Sequence, residues 1–329
     1  MVRKFWWLIL LVPIVFVSHY FLPEDWHNPF VGLIEIKELP LVKYDIDSLR
    51  ESGGVASEIK ISGIAEGVEE RKKEVTKFKT QVFTFESDGK KISGTVNIPN
   101  LEQSSLKKAI IMVRGFAESE GYYPGSGTWK VADALANEGY ATFSIDFLGF
   151  GESDNESNDV LEARFVKVEN VMDLLESVKN LPWINKEKIG IWAHSNGGQI
   201  VLSVLEATGE NYPTVLWAPM TNPFPKSVLE TIEEDSPLRQ IIKDFEKKYD
   251  PRRYAFENYY DWINSSILIQ QGTEDEWCQV EWQTKVVESL KEMGKEAELV
   301  VYPNNDHNLS KSWDEAVKRD IRFFEENIK

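Results

Sequence analysis

From Thr80 to the C-terminus, short apolar runs alternate with longer segments whose apolar positions recur every three or four residues. The runs predict strands: "AIIMVRG" (109–115), "YATFSID" (140–146), "KIGIWAH" (188–194), "PTVLWAP" (213–219), "SILIQQG" (266–272) and "AELVVYP" (297–303). Helices are predicted over 129–137, 161–181, 197–207, 280–293 and 312–328. The second of these sets Val168, Val171, Leu174, Leu175 and Val178 on one face. Ahead of them, "TQVFTFESDGKKISGTVNIP" reads as two strands joined by Asp88-Gly89, a two-residue turn that matches the twist of paired strands. Strands that are apolar on both faces and alternate with helices belong in a parallel sheet covered on both sides. The expected architecture is a mostly parallel, twisted α/β sheet of about eight strands, with the leading hairpin antiparallel at one edge. In such sheets chemistry collects at the carboxyl ends of the strands.

The beginning of the chain follows another pattern. "MVRKFWWLILLVPIVFVSHYFLP" is apolar from Phe5 almost to Leu22, and about eighteen helical residues just span a bilayer core. Residues 1–22 therefore predict a membrane anchor, with a cleaved signal or a buried apolar segment as alternatives; no Ala-x-Ala-like cleavage site is present. Arg3 and Lys4 precede the run, which orients the remaining chain to the extracytoplasmic side. If the signal is cleaved instead, the protein is secreted. Residues 23–75 read as a lead-in with a possible strand at 58–64, and residues 76–329 as the main α/β body, with 220–262 as an insertion in it.

Charge and cysteine content narrow the classes. The formal net charge is −17, from 54 acidic and 37 basic residues, with no cluster of Lys and Arg. Nucleic acid is excluded, because neutralising phosphates requires such a cluster. Cys278 is the single cysteine, so neither an intramolecular disulfide nor a cysteine-based metal cluster is possible. No His-x-x-x-His pair supports a metallohydrolase. "SDNESND" (153–159) lacks the spacing and glycine of a calcium loop and reads as a solvated turn.

The candidate chemistry lies at "AHSNG" (193–197), where a strand gives way to a helix. Gly-x-Ser-x-Gly at such a corner exposes a serine nucleophile, and here alanine holds the first small position. Ordinary N-capping by Ser195 is the competing reading. A serine needs a base, and the chain has only four histidines. His19 and His27 lie in or beside the leader. His194 adjoins the serine, and strand alternation turns it to the other face. His307, in "YPNNDHNLS", directly follows the last strand and remains as the base. The orienting acid should fall between serine and base in the chain. Asp275 in "QQGTEDEWCQ" is the choice, ahead of Glu274 and then Glu276. Backbone N–H groups of Asn196 and Phe116 are the expected oxyanion donors, the latter following Arg114-Gly115 after the first parallel strand.

With these residues in place, "GIWAHSNGGQ", "GTEDEWCQVEW", "NNDHNL" and "SIDFLGFGESD" resemble the α/β-hydrolase superfamily, most closely the catalytic domain of the prolyl oligopeptidase (S9) peptidases and their esterase relatives. The resemblance runs over roughly residues 80–329 and implies Ser195, Asp275 and His307 as a catalytic triad, with no metal or organic cofactor. It gives Asp146 a structural place in a turn. Two departures stand out. The stretch between leader and hairpin is too short for the β-propeller of S9 peptidases, and Arg114-Gly115-Phe116 stands without an assisting tyrosine, unless Tyr122 or Tyr123 serves. The expected substrate is a small ester or short peptide. A binding protein on a hydrolase scaffold is the alternative of another class. Residues 220–262 are read as a cap over the site or else a charged surface excursion, and Trp217, Phe224, Trp277, Trp282 and Tyr122 as candidate pocket walls. Cys278 is read as packing.

Overall fold

In a computed structural model, residues 39–63, 77–100 and 106–329 are described. Nine strands form one sheet: β1 (Lys60–Ile61), β2 (Phe78–Ser87), β3 (Lys90–Pro99), β4 (Lys107–Val113), β5 (Ala141–Ile145), β6 (Ile184–His194), β7 (Thr214–Trp217), β8 (Ile267–Gly272) and β9 (Ala297–Tyr302). Their order is β1-β2-β3-β5-β4-β6-β7-β8-β9. The hairpin β2–β3 is antiparallel and docks antiparallel onto β5, and every pairing from β5 to β9 is parallel. The sheet is one strand wider than expected, because the two-residue β1 adds to the hairpin's outer edge.

Alternation along the buried strands divides the core between two faces. Ile110, Met112, Trp192, Val215 and Leu268 meet α2 (Trp129–Asn137) and α8 (Trp313–Asn327). Ile111, Val113, Ile191, Ala193 and Ile269 meet α3 (Val160–Lys179), α4 (Asn196–Thr208) and α7 (Val280–Glu292). The strands are apolar throughout because each side has a helix layer to cover it.

Part of the lead-in joins the second face. Asp45 accepts from Ser48 N–H at 2.8 Å and starts α1 (Ile46–Ser52), whose Ile46 and Leu49 are buried. The insertion carries α5 (Lys226–Leu229) and α6 (Pro237–Glu246), then three short 3₁₀ turns. Its Phe224 meets Phe165 of α3 edge to face and its Tyr254 packs tilted against the same ring, with centroids 5.1 and 4.7 Å away. Arg253 of the insertion pairs with buried Asp45 at 2.9 Å. Residues 220–262 thus bury an aromatic side and are not a purely charged excursion. Among the described residues no helix is long and apolar enough to cross a membrane. The expected anchor, residues 1–22, lies outside the described residues.

Candidate active site

Ser195 follows the last residue of β6 and precedes the first of α4, with φ +54° and ψ −124°. A non-glycine residue there costs about 1–3 kcal/mol, so the neighbours must impose the corner. They do so from two sides. Ser195 N–H donates to Trp217 O at 3.0 Å, and Ser195 O accepts from Gly198 N–H at 2.9 Å and Met220 N–H at 2.8 Å. Small residues are required by close backbone approach. A methyl group on Gly197 would sit 2.6 Å from Val113 O, and one on Gly115 would sit 2.8 Å from Ser195 Cβ and 3.3 Å from its Oγ. Ser195 is a strained corner residue rather than a side-chain cap of α4, since its side chain makes no capping bond.

Across the sheet edge, His307 Nδ1 lies 2.8 Å from Asp275 Oδ2, and the Asp275 side chain is fully enclosed. Asp275 Oδ1 accepts from the N–H groups of Trp277 and Cys278 at 2.8 and 2.9 Å, and Oδ2 also accepts from Gln271 Nε2 at 2.8 Å. Burial alone would raise this carboxyl, but the bonds from His307, Cys278 N–H and Gln271 outweigh it and hold the pKa below the usual range. Asp275 is therefore a carboxylate that fixes the imidazole's Nδ1–H. Glu274 and Glu276 are exposed, and Glu274 faces Lys311 at 3.3 Å. The chosen acid is the one at the histidine.

Gln271 is a site residue that pattern reading misses. It braces Asp275 and is itself held by Gln283, whose amide also donates to Pro219 O at 2.8 Å. Ligand atoms of Asp275, Cys278 and His307 lie within 4.8 Å of one another. Four N–H donors already occupy the carboxylate, and burial raises the Cys278 thiol, so the set suits an acid–base pair better than a metal.

His194 turns to the face of Trp192, as alternation predicts, with their rings stacked 6.4 Å apart, and on that face it also meets His307. The loop carrying His307 crosses that same face on its way to α8. His194 Nε2 comes within 3.1 Å of His307 O, and the rings are 4.7 Å apart. Burial, then His307, lowers its pKa to about 4, so a neutral ring donates Nε2–H to that carbonyl. In this structure only the acid–base half of the set is hydrogen-bonded; Ser195 Oγ has no hydrogen bond to another described residue. Such contacts commonly close only when substrate arrives.

The expected oxyanion donors are both backbone groups. Asn196 opens α4, and the first N–H groups of a helix have no acceptor within it. Arg114 Nη1 donates to Gly115 O at 2.9 Å, while its Nε and Nη2 hold Asp146 O at 3.2 and 2.7 Å. A trans peptide points its N–H opposite its C=O, so anchoring Gly115 O directs Phe116 N–H the other way. The Phe116 ring is exposed and takes no part. Tyr122 is not an oxyanion donor: its hydroxyl donates to Asp146 Oδ1 at 2.7 Å, under the Arg114 guanidinium. Asp146 is fully buried and also receives Ser93 Oγ and Gly125 N–H, the structural place expected for it.

The other expected pocket walls scatter. Trp217 is buried against α8, where its Nε1 donates to Asp320 at 3.0 Å. Trp277 is 65% exposed beside the acid, and Trp282 lines a separate surface cleft with Lys285 and Glu288. Phe224 shares a cavity with Asn196, and Trp217 lines another with His194 and Asn308, so each flanks Ser195 through one of its chain neighbours.

The profile of the prolyl oligopeptidase family matches residues 128–329, more than half of the chain. The chain belongs to this family. The match leaves out the hairpin and the Arg114–Phe116 loop, which the motif resemblance had included. An uncharacterized peptidase of Bacillus subtilis, YuxL, is 27% identical over 246 residues, 66% of this chain and 36% of its own length. Among solved structures, an acylaminoacyl peptidase of Pyrococcus horikoshii is 18% identical, with a TM-score of 0.62 over 78% of this chain and 42% of that one. Acetyl xylan esterase 1 of a Thermoanaerobacterium species is 16% identical, with a TM-score of 0.60 over 87% of this chain and 93% of that one. These likenesses show an α/β-hydrolase fold. The chain spans about a third of the length of the Bacillus peptidase and well under half of the acylaminoacyl peptidase.

Proposed function

We propose that the protein is a serine hydrolase that cleaves carboxylic ester or short peptide bonds through an acyl-enzyme at Ser195. His307 takes the hydroxyl proton as Ser195 attacks the carbonyl, and Asp275 holds the imidazole in the tautomer that can accept it. The tetrahedral oxyanion is stabilised by the N–H groups of Asn196 and Phe116. His307 returns the proton to the leaving group, and water clears the acyl group by the same steps reversed. One observation carries this reading: Ser195 is held at φ +54° at the carboxyl edge of the sheet that also presents the Asp275–His307 pair.

Solved structures of both kinds share this fold, an acetyl xylan esterase and an acylaminoacyl peptidase, so the proposal covers both bond types. The test is a fluorophosphonate probe, which should attach one equivalent at Ser195 and none in Ser195→Ala, followed by p-nitrophenyl esters and aminoacyl-arylamides in parallel. Full labelling of the alanine variant would end the proposal. Residues 1–22 remain proposed as an anchor that holds the hydrolase outside the cytoplasm, tested by whether the full chain resists alkaline carbonate extraction from membranes.

A further inference from the structure

Beside the nucleophile, on the α3 and insertion side, lies a cavity of about 40 Å³, room for a carboxylate group and little more. Asn196, Gln199, Phe224 and Tyr254 line it together with Arg164 of α3. Arg164 Nη2 donates to Gln199 Oε1 at 2.6 Å and to Ser227 Oγ at 3.0 Å, and Gln199 Nε2 donates to Asn196 Oδ1. These acceptors are neutral. No described residue forms an ion pair with Arg164, and its Nε–H and Nη1–H groups have no acceptor among the described residues. Burial alone lowers its pKa to about 10, with no anion to oppose it. Lys167, three residues further along α3, is lowered to about 8 by burial and then by Arg114, against Glu156; Arg164 lowers it further. A guanidinium with unused Nε–H and Nη1–H donors can bind a carboxylate by charge-assisted hydrogen bonds.

We propose that Arg164 is a specificity residue that binds a free carboxylate on the acyl part of the substrate. The substrates are then esters or amides of dicarboxylic or acidic acyl groups. Gln199 lies three residues along α4 from Asn196, about 4.5 Å by helical rise, so the acid sits a few carbons from the scissile carbonyl. The inference rests on the proposed reaction at Ser195, and the experiment separates the two.

The specificity ratio is measured as kcat/KM for mono-p-nitrophenyl glutarate over p-nitrophenyl pentanoate, esters of equal acyl chain length. The wild-type protein should favour the acid. Arg164→Gln should lower the ratio by about ten- to a hundredfold, the range for losing one charge-assisted hydrogen bond. Ser227→Asp keeps Arg164 but places a carboxylate at its Nη2, and should lower the ratio similarly; it carries the test if Arg164→Gln does not fold. An equal ratio in all three proteins overturns the proposal and leaves the hydrolase reading intact. If neither ester is cleaved, calorimetric titration of glutarate into Ser195→Ala, with and without Arg164→Gln, decides the pocket. Binding lost with Arg164 supports it, and no binding in either protein overturns it.

Discussion

Replacing Asp275 by asparagine changes little in volume and inverts the hydrogen-bond logic around one carboxylate. Oδ1 can still accept from the Trp277 and Cys278 N–H groups. The new amide NH₂ then stands where Oδ2 accepted from His307 Nδ1 and Gln271 Nε2. Gln271 meets a donor with a donor and must rotate. His307 can satisfy the amide only by becoming an acceptor at Nδ1, which moves its proton to Nε2. In that tautomer it cannot take the serine proton. The expected loss in kcat is ~10³–10⁴-fold. Losing charge-assisted bonds at a buried site adds a destabilisation of about 1–3 kcal/mol, too small to unfold a domain of ordinary stability. Glu274→Gln is the control, because that carboxylate is exposed and meets only Lys311 at 3.3 Å; its rate should change less than twofold or so. The assay is kcat on the best p-nitrophenyl ester, with the rate of fluorophosphonate labelling as a check on Ser195 itself. Asp275→Asn retaining a tenth of wild-type activity, or Glu274→Gln losing a thousandfold, refutes the assignment of the acid.

Two further outcomes follow from packing and burial. In Gly115→Ala the added methyl would lie 2.8 Å from Ser195 Cβ, so the oxyanion loop must retreat; kcat/KM should fall by ~10²-fold while the melting temperature changes by only a few degrees, and an unimpaired kcat/KM contradicts the close approach. Glu206 is fully buried, neither carboxyl oxygen is hydrogen-bonded among the described residues, and burial, then Asp261, raises its pKa well above the usual value. The folded protein keeps its proton while the unfolded chain loses it above about pH 4.5, so its contribution to stability declines as pH rises from there, by up to about 1.4 kcal/mol per unit. Glu206→Gln cannot titrate and should therefore gain on the wild type in urea unfolding from pH 5 to pH 8; an equal difference at both pH values sinks this account.

The parallel part of the fold was legible because each strand is a short apolar run and each helix keeps its period. The five long helices fall within two residues of their expected ends. The catalytic candidates were legible for the same reason: Ser195, Asp275 and His307 each follow a strand end, where an α/β sheet puts chemistry. His194 shows the limit of that logic. Alternation assigned its face correctly, but only the path of the 303–312 loop brings the His307 carbonyl onto that face. Tyr122 was misread because its partner Asp146 is 24 residues away and invisible to local pattern. Trp217 lines a cavity with His194, but its second tie was invisible to pattern: an indole deep in a core needs an acceptor, and Asp320, from the last helix, supplies it. Gln271 leaves no local signal at all, since a glutamine near a strand end acquires meaning only once the acid folds back over it.

The net charge of −17 and the Arg164 cavity concern anions at different ranges. A polyanion must meet many basic positions at once, and a chain with 17 excess negative charges opposes its approach. A small monoester acid meets that field only on approach, where salt screens it beyond about 8–10 Å. Inside the cavity it meets one guanidinium in a setting from which water is largely removed, and there each hydrogen bond to a charge is worth more than in bulk solvent. Composition therefore weighs against a polyanion without weighing against a single carboxylate. Because Arg164 is anchored by Gln199 and Ser227 rather than by an acid, its charge remains available to the substrate. The same tethers connect the recognition of that carboxylate to Asn196, whose N–H faces the developing oxyanion in the proposed mechanism.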